Sequence, residues 1–144
     1  MTQIDFYTHV GNKLQTACAL SAKAFARGLR VLVYCPDAET ATRFARMLWT
    51  QPAIAFVPHC APQDPLAAVT PVIVDHEGVT LLHQEVLLNL RPDPPAFFSR
   101  FERLVEIVTL DEEDRRAARE RFRFYRDRGY ELRSHDLSKS AAPL

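Results

Sequence analysis

The sequence has no excess of either charge, few cysteines and no long apolar run. Its 144 residues carry 18 basic and 18 acidic side chains, so a preference for a charged partner must come from local segregation of charge. The three cysteines, Cys18, Cys35 and Cys60, include no C-x-x-C pair, which argues against a disulfide framework or a zinc ribbon. There is no signal-peptide pattern and no apolar stretch of membrane-spanning length, so we expect a cytoplasmic protein that does not contact membrane.

Phosphate-binding and catalytic motifs are also missing. The first strand-to-helix turn, His9–Lys13, has one glycine and matches neither G-x-x-x-x-G-K-[ST] nor G-x-G-x-x-G. Cys35 ends a buried strand, where active sites often lie, but Asp37 nearby would raise the thiol pKa rather than lower it. We therefore expect a structural cysteine and no catalytic residue.

Two histidine-containing segments are weak candidates for a metal site. Neighbouring side chains in Asp75–Glu77 would point to opposite faces of a strand, and His83 lies beyond a predicted turn. His59 and Cys60 lack a second pair of ligands nearby. We predict no metal and no cofactor.

The order of the predicted elements indicates the fold class. A chain of this length, with 47% hydrophobic and 25% charged residues, fits one domain. The predicted strands are 4–10, 30–35, 70–75, 85–90 and 130–132, and the predicted helices are 13–27, 37–49, 96–107 and 110–128. Strands that alternate with helices favour right-handed crossovers and a parallel sheet. We predict an α/β fold: a single three-layer, doubly wound domain over residues 1–133 with a mostly parallel sheet, Rossmann-like without a phosphate-binding loop, and a flexible tail over 134–144.

The last predicted helix has an unusual distribution of charge. Thr109 and Glu112 match a capping box, and residues 111–114 are all acidic. The stretch from Arg115 to Arg133 then holds eight arginines against three acidic residues. Capping of the helix dipole and solvation of an exposed face explain a large part of this excess.

The arrangement around this helix suggests a binding face. At about 100° per residue, one arc contains Arg115, Arg119, Phe122, Arg123 and Arg126. The opposite side contains Ala117, Ala118, Phe124 and Tyr125, which suit the core, although Arg121 and Arg128 fall there too. Phe122 has no core to fill among guanidinium groups, so we expect it to contact a ligand. An acidic peptide suits this surface, and nucleic acid is the competing ligand.

A second candidate surface is the proline-punctuated apolar stretch Trp49–Pro58. It contains the only tryptophan, Trp49, followed by Phe56. The stretch either packs down on the sheet or forms an exposed docking patch for a protein partner, with the two rings as anchors.

The ordered set of these segments resembles the chi subunit family of bacterial DNA polymerase III holoenzyme. The similarity runs from about residue 4 to residue 132. The segments that carry it are Phe6-Tyr7, Gly28–Val33, Leu48-Trp49, Phe56–His59, Asn89–Arg91, Ala118–Arg126 and Gly129-Tyr130.

The resemblance implies a non-catalytic accessory subunit in DNA replication. Such a protein links the clamp loader, through the small psi subunit, to the acidic C-terminal tail of single-stranded DNA-binding protein, which ends in a Pro-Phe carboxylate. Carried over by position, Arg119, Phe122 and Arg123 would hold this tail, with Val108 and Arg115 as additional contacts. The family commonly has tyrosine and lysine at the positions of Phe122 and Arg123, so a hydroxyl contact is absent here.

The resemblance also implies a role for the apolar stretch. Trp49 and Phe56 would meet psi or an accessory helicase, and DNA would be engaged only indirectly. The alternatives are a small nucleotide-binding or hydrolytic enzyme that uses Cys35 or the His9–Lys13 turn, and a direct single-stranded DNA binder.

Overall fold

The structure, a computed structural model, describes residues 1–50, 57–79 and 81–139. The strands are β1 (Gln3–Val10), β2 (Val31–Tyr34), β3 (His59–Cys60), β4 (Val72–Asp75), β5 (Val86–Asn89), β6 (Arg103–Thr109) and β7 (Leu132–Asp136). The helices are α1 (Lys13–Ala26), α2 (Ala38–Thr50) and α3 (Glu112–Asp127). Short 3-10 turns lie at Ala67–Val69, Phe98–Arg100 and Leu137–Lys139.

The described strands form one sheet in the order β3-β4-β2-β5-β6-β1-β7, and every pairing among them is parallel. One face packs against α1 and α2, where Cys18 and Phe44 meet Val33 in the core. The other face packs against α3, where Tyr125 meets Ile4. The predicted three-layer, doubly wound α/β fold is therefore confirmed. No helix in the described part of the chain is long and apolar enough to cross a membrane.

Glycine ends α1 and α3 in the same way. After α1, Gly28 takes a φ of 76° and donates to the Phe25 carbonyl, while Leu29 donates to the Ala24 carbonyl. Gly129 takes a φ of 84° after α3 and makes the equivalent bond. This is the Schellman arrangement, which needs a left-handed residue that only glycine adopts without strain.

The predicted helix over 96–107 is wrong. The segment forms the 3-10 turn Phe98–Arg100 and then β6. The prolines at 92, 94 and 95 favour a helix start here, and the apolar residues at 97, 98, 101, 104 and 105 are compatible with helical spacing. Tertiary pairing decides otherwise, because Leu104–Val108 lies between β5 and β1 and is buried on both faces of the sheet.

Two further strands differ from the prediction. The closing strand is not 130–132 but Leu132–Asp136, which pairs with β1 from Ile4 to Thr8. Its sequence is polar because it is an edge strand, and the first residues of the predicted tail belong to it. Residues 140–144 lie outside the described part of the chain, so their flexibility stays a prediction. The short strand β3, in the stretch expected to be loop, was not predicted.

A buried ion pair joins β6 to α3. The Glu106 carboxylate accepts hydrogen bonds from Arg121 Nε at 2.9 Å, Tyr125 Oη at 2.5 Å and Asn89 Nδ2 at 3.0 Å. Burial raises the pKa of Glu106, and the Arg121 charge and these hydrogen bonds oppose the rise. Arg121 also donates to the Pro92 carbonyl at 3.1 Å. Its place on the core side of α3 is therefore explained by a partner in the sheet.

We expect Glu106→Gln to destabilise the fold strongly. Gln leaves the Arg121 guanidinium buried without a counter-charge, which costs about 3–5 kcal/mol in the free energy of unfolding. Urea denaturation measures the loss. Glu113→Gln is the matched control, because Glu113 forms an exposed pair with Arg116 and its loss should hardly change the free energy of unfolding. Equal losses in the two variants would contradict this account of the fold.

Candidate functional site

A bulge at the end of β1 changes which face its side chains occupy. Ile4 and Phe6 belong to the core under α3, but Val10, which has the same parity, belongs to the core under α1. The register with β6 shifts between Tyr7 and Val10, and His9 has a φ of 60°. This left-handed conformation is uncommon outside glycine. As a result, the side chain of His9 lies on the α3 side of the sheet.

The start of α3 is capped by Asp111, not by the predicted pair of Thr109 and Glu112. The Asp111 side chain accepts from the backbone N–H of Asp114 at 3.0 Å. Asp114 in turn accepts from the backbone and hydroxyl of Thr109 at 2.8 and 2.9 Å, and from Lys13 Nζ at 2.6 Å. These contacts fix the first turn of α3 to both β6 and α1.

A groove of about 440 Å³ lies between α3 and the carboxyl ends of β1, β6 and β7. Its floor is apolar and formed by Phe6, Val108, Ala118 and Phe122. Polar side chains surround this floor on two walls. They are Arg115 and Arg119 from α3, and Thr8, His9, Ser134 and Asp136 from the sheet.

Phe122 contributes both to the core and to the groove. Its ring meets the Phe6 ring edge-on, with centroids 5.3 Å apart, and is only partly buried. The expectation that Phe122 has no core to fill is therefore wrong. The ring is held in one position by Phe6, which gives the groove a rigid apolar surface.

The two groove arginines are weakly engaged within the protein. Arg119 Nη2 lies 3.9 Å from Glu112 Oε1, and both side chains are more than half exposed. Arg115 is exposed and forms no ion pair within the described residues. An exposed pair at this distance contributes little, so both guanidinium groups are available to an anionic ligand.

Arg123 lies apart from the other four residues predicted for the tail site. It does not line the groove, and its Nη1 lies 3.4 Å from Glu120 Oε1. It borders a separate depression between α3 and the Pro92–Pro94 loop. The structure thus brings together Val108, Arg115, Arg119 and Phe122.

The groove also contains residues that the sequence did not single out. Phe6 and Asp136 come from the outer strands, more than 100 residues apart in the chain, and His9 reaches the groove through the bulge. The sequence signal for Asp136 is weak, because β7 is polar and the residues from Ser134 onward fall in the predicted tail. Parallel pairing with β1 brings it to the groove.

The predicted docking surface is described in part. Trp49, at the end of α2, is 68% exposed, and its ring lies edge-on to His59 with centroids 5.9 Å apart. Phe56 lies outside the described residues. The structure therefore presents one of the two predicted rings to solvent.

Positions considered for catalysis or for metal binding make contacts within the fold. Cys35 is buried as predicted, and burial, together with Asp37 and Asp75, raises the pKa of its thiol to about 12. Lys13 of the first turn is paired with Asp114. Asp75 accepts from the backbone N–H groups of Glu77 and Gly78, which forms a turn.

The edge where doubly wound folds usually hold ligands is occupied by Arg91. Its Nη1 donates to the carbonyls of Cys35, Pro36 and His76 at 3.3–3.4 Å, and its guanidinium lies 4.8 Å from the centre of the Tyr34 ring. Arg91, which follows β5, thereby links the carboxyl ends of β2 and β4. No group of three or more potential metal ligands comes together in the described parts of the chain.

Comparison with known proteins identifies the family. The family model described as DNA polymerase III chi subunit, HolC, matches residues 1–133. The chain belongs to this family. It is 35% identical to DNA polymerase III subunit chi of Pseudomonas aeruginosa over 144 residues, covering 96% of this chain and 99% of that protein. The corresponding protein of Escherichia coli is 31% identical over 119 residues, which is 82% of this chain and 81% of that protein.

The family assignment confirms the resemblance seen in the sequence. A third relative, DNA polymerase III subunit chi of Haemophilus influenzae, is 27% identical over 124 residues, covering 85% of this chain and 86% of that protein. The chain is therefore a chi-family subunit of DNA polymerase III and acts in DNA replication.

We expect Asp114→Asn to destabilise the protein in a pH-dependent way. Burial favours the neutral acid, but the hydrogen bonds from Lys13 and Thr109 outweigh it and hold the pKa of Asp114 below its usual value. The ionised carboxylate therefore stabilises the fold above about pH 4, and this contribution is lost as the pH falls through the lower folded value. The loss in the variant should be about 1–2 kcal/mol at neutral pH.

Chemical denaturation of wild type and Asp114→Asn at neutral pH and at about pH 3 measures this difference. The difference in free energy of unfolding between the two proteins should be smaller at the lower pH. Asp127→Asn, at the exposed end of α3, is the control and should change little at either pH. A loss of stability in Asp114→Asn that is the same at both pH values would contradict a lowered pKa of Asp114.

Proposed function

We propose that the chain is a non-catalytic accessory subunit that links the clamp loader, through psi, to the acidic C-terminal tail of single-stranded DNA-binding protein. The groove beneath α3 holds the end of that tail. The observation that carries this proposal is the combination of a buried apolar floor with two weakly engaged arginines on one wall.

The chemistry of the groove suits a peptide with an apolar end and acidic residues. Phe6, Val108 and Phe122 offer a surface for an aromatic side chain, which gains by leaving water. Arg115 and Arg119 offer forked donors that match carboxylate oxygens. A volume of about 440 Å³ accommodates a large side chain with adjoining backbone, not a long chain.

Arg123 remains part of the proposed site in a different role. Because it lies outside the groove, it meets the acidic residues that precede the seated end of the tail. Its side chain is 58% exposed, and its contact with Glu120 is long, so it can exchange that partner for one on the ligand. We expect its contribution to be smaller and more sensitive to salt than that of Arg119.

The second proposed surface surrounds Trp49 and Phe56 and meets psi or an accessory helicase. An exposed indole is a frequent anchor in protein interfaces, because it buries a large apolar area with little loss of side-chain freedom. Trp49 ends α2, on the opposite side of the sheet from α3. The two partners can therefore bind at the same time.

We expect Arg119→Ala to weaken binding of a fluorescent peptide that copies an acidic tail ending in Pro-Phe. The loss should be about tenfold or more, because a charge-assisted contact at the wall of a confined groove is removed. Fluorescence anisotropy at low and high salt measures it. Arg116→Ala is the matched control, since Arg116 pairs with Glu113 and lies outside the groove.

Equal affinity of wild type, Arg119→Ala and Phe122→Ala for the peptide would overturn the proposed site. Tighter binding of a bare oligonucleotide than of the peptide would favour direct DNA binding instead. The psi contact is tested separately by pull-down of clamp-loader proteins with wild type and Trp49→Ala, and unchanged recovery would contradict that surface.

A further inference from the structure

One wall of the groove carries a negative charge, although the proposed ligand is itself acidic. Asp136, the last residue of β7, faces the groove across from the arginines of α3. Its side chain is only 28% exposed. An acidic ligand must therefore bind beside a carboxylate that repels it.

The carboxylate of Asp136 is held firmly in place. Its Oδ1 accepts from the backbone N–H and the hydroxyl of Ser138 at 2.9 and 2.6 Å, and lies 3.1 Å from His9 Nδ1. Thr8 Oγ1 lies 3.0 Å from the same His9 nitrogen. These contacts keep Asp136 on the β7 wall and away from the arginines.

His9 reaches this position only through the bulge in β1. In a regular strand it would lie on the α1 side together with Asp5 and Tyr7, because side chains alternate between faces. The left-handed conformation at φ 60° turns it to the groove instead. The bulge in β1 therefore places His9, and the parallel pairing of β7 places Asp136, so that the two side chains come into contact.

We propose that Asp136 is a specificity-determining residue that fixes where the ligand carries its negative charge. This inference rests on the proposed peptide-binding function of the groove. Repulsion from Asp136 excludes carboxylates from the β7 wall, so the acidic residues of the ligand follow Arg115 and Arg119. A ligand with negative charge along both sides is penalised, which selects an acidic peptide end over a polyanion. His9 fixes the carboxylate in the position from which it acts.

The test compares Asp136→Asn with Asp127→Asn, which makes the same change of charge outside the groove. Asn keeps an oxygen for the Ser138 contacts, so the fold is retained. We expect Asp136→Asn to bind the acidic peptide about two- to fourfold more tightly at low salt, with the gain disappearing at high salt. A peptide with its acidic residues replaced by Asn and Gln should show no gain.

The effect of Asp136→Asn on a single-stranded oligonucleotide gives a second readout. The affinity of the variant for the oligonucleotide should rise by a larger factor than its affinity for the peptide, because the negative charges of an oligonucleotide face both walls of the groove. An equal effect of Asp136→Asn and Asp127→Asn on the peptide, or a loss of affinity, would overturn the proposal. If Arg119→Ala also leaves the affinity for the peptide unchanged, the proposed function itself fails. If Arg119→Ala weakens peptide binding but Asp136→Asn does not change it, only the role of Asp136 is refuted.

His9→Gly provides an independent variant. Glycine adopts a φ of 60° without strain, so the melting temperature should not fall. Removing His9 takes away one of the contacts that hold Asp136 on the β7 wall, so the carboxylate can approach the arginines, and affinity for the acidic peptide should drop about twofold or more. Adding Asp136→Asn to His9→Gly should restore it. A drop that Asp136→Asn does not reverse would contradict the coupling of the two residues.

Discussion

The buried ion pair between Glu106 and Arg121 sets the orientation of α3 on the sheet. A guanidinium that is 1% exposed needs a partner in the core, and Glu106 on β6 is that partner. The Glu106 carboxylate also accepts a hydrogen bond from Tyr125 of the same helix. Because the face of α3 that carries Arg121 and Tyr125 must point into the core, the rotation of the helix about its axis is fixed. Phe122 then lies over Phe6, and Arg119 faces the groove, whereas Arg123, one turn further along the helix, borders the neighbouring depression.

The groove itself exists because the outer strands extend beyond the cover that α3 gives them. β7 pairs with β1 and widens the sheet, so that a groove remains between the outer strands and α3. The bulge in β1 then places His9 beside Asp136. The site is thus a joint product of a helix orientation and a sheet edge, with charge of opposite sign on its two walls.

Local patterns predicted a large part of the fold and some of the site. Buried apolar runs predicted β2, β4 and β5, and the amphipathic pattern with a following glycine predicted α1 and α3. The same reasoning failed over residues 96–107, because apolar residues at helical spacing are also compatible with a central strand buried on both faces. It also failed at β7, where a polar edge strand has no periodic signal.

The sequence by itself determined the fold class, the lack of a phosphate-binding loop, the charge distribution of α3 and the family. Those properties depend on local composition and on the order of the segments. Only the tertiary structure decided which of the arginines share a surface, since the side chain of Arg121 is drawn into the core by a carboxylate 15 positions earlier. It alone placed His9 and Asp136 in the groove, because backbone pairing between the two ends of the chain brings distant residues together without any trace in the local pattern.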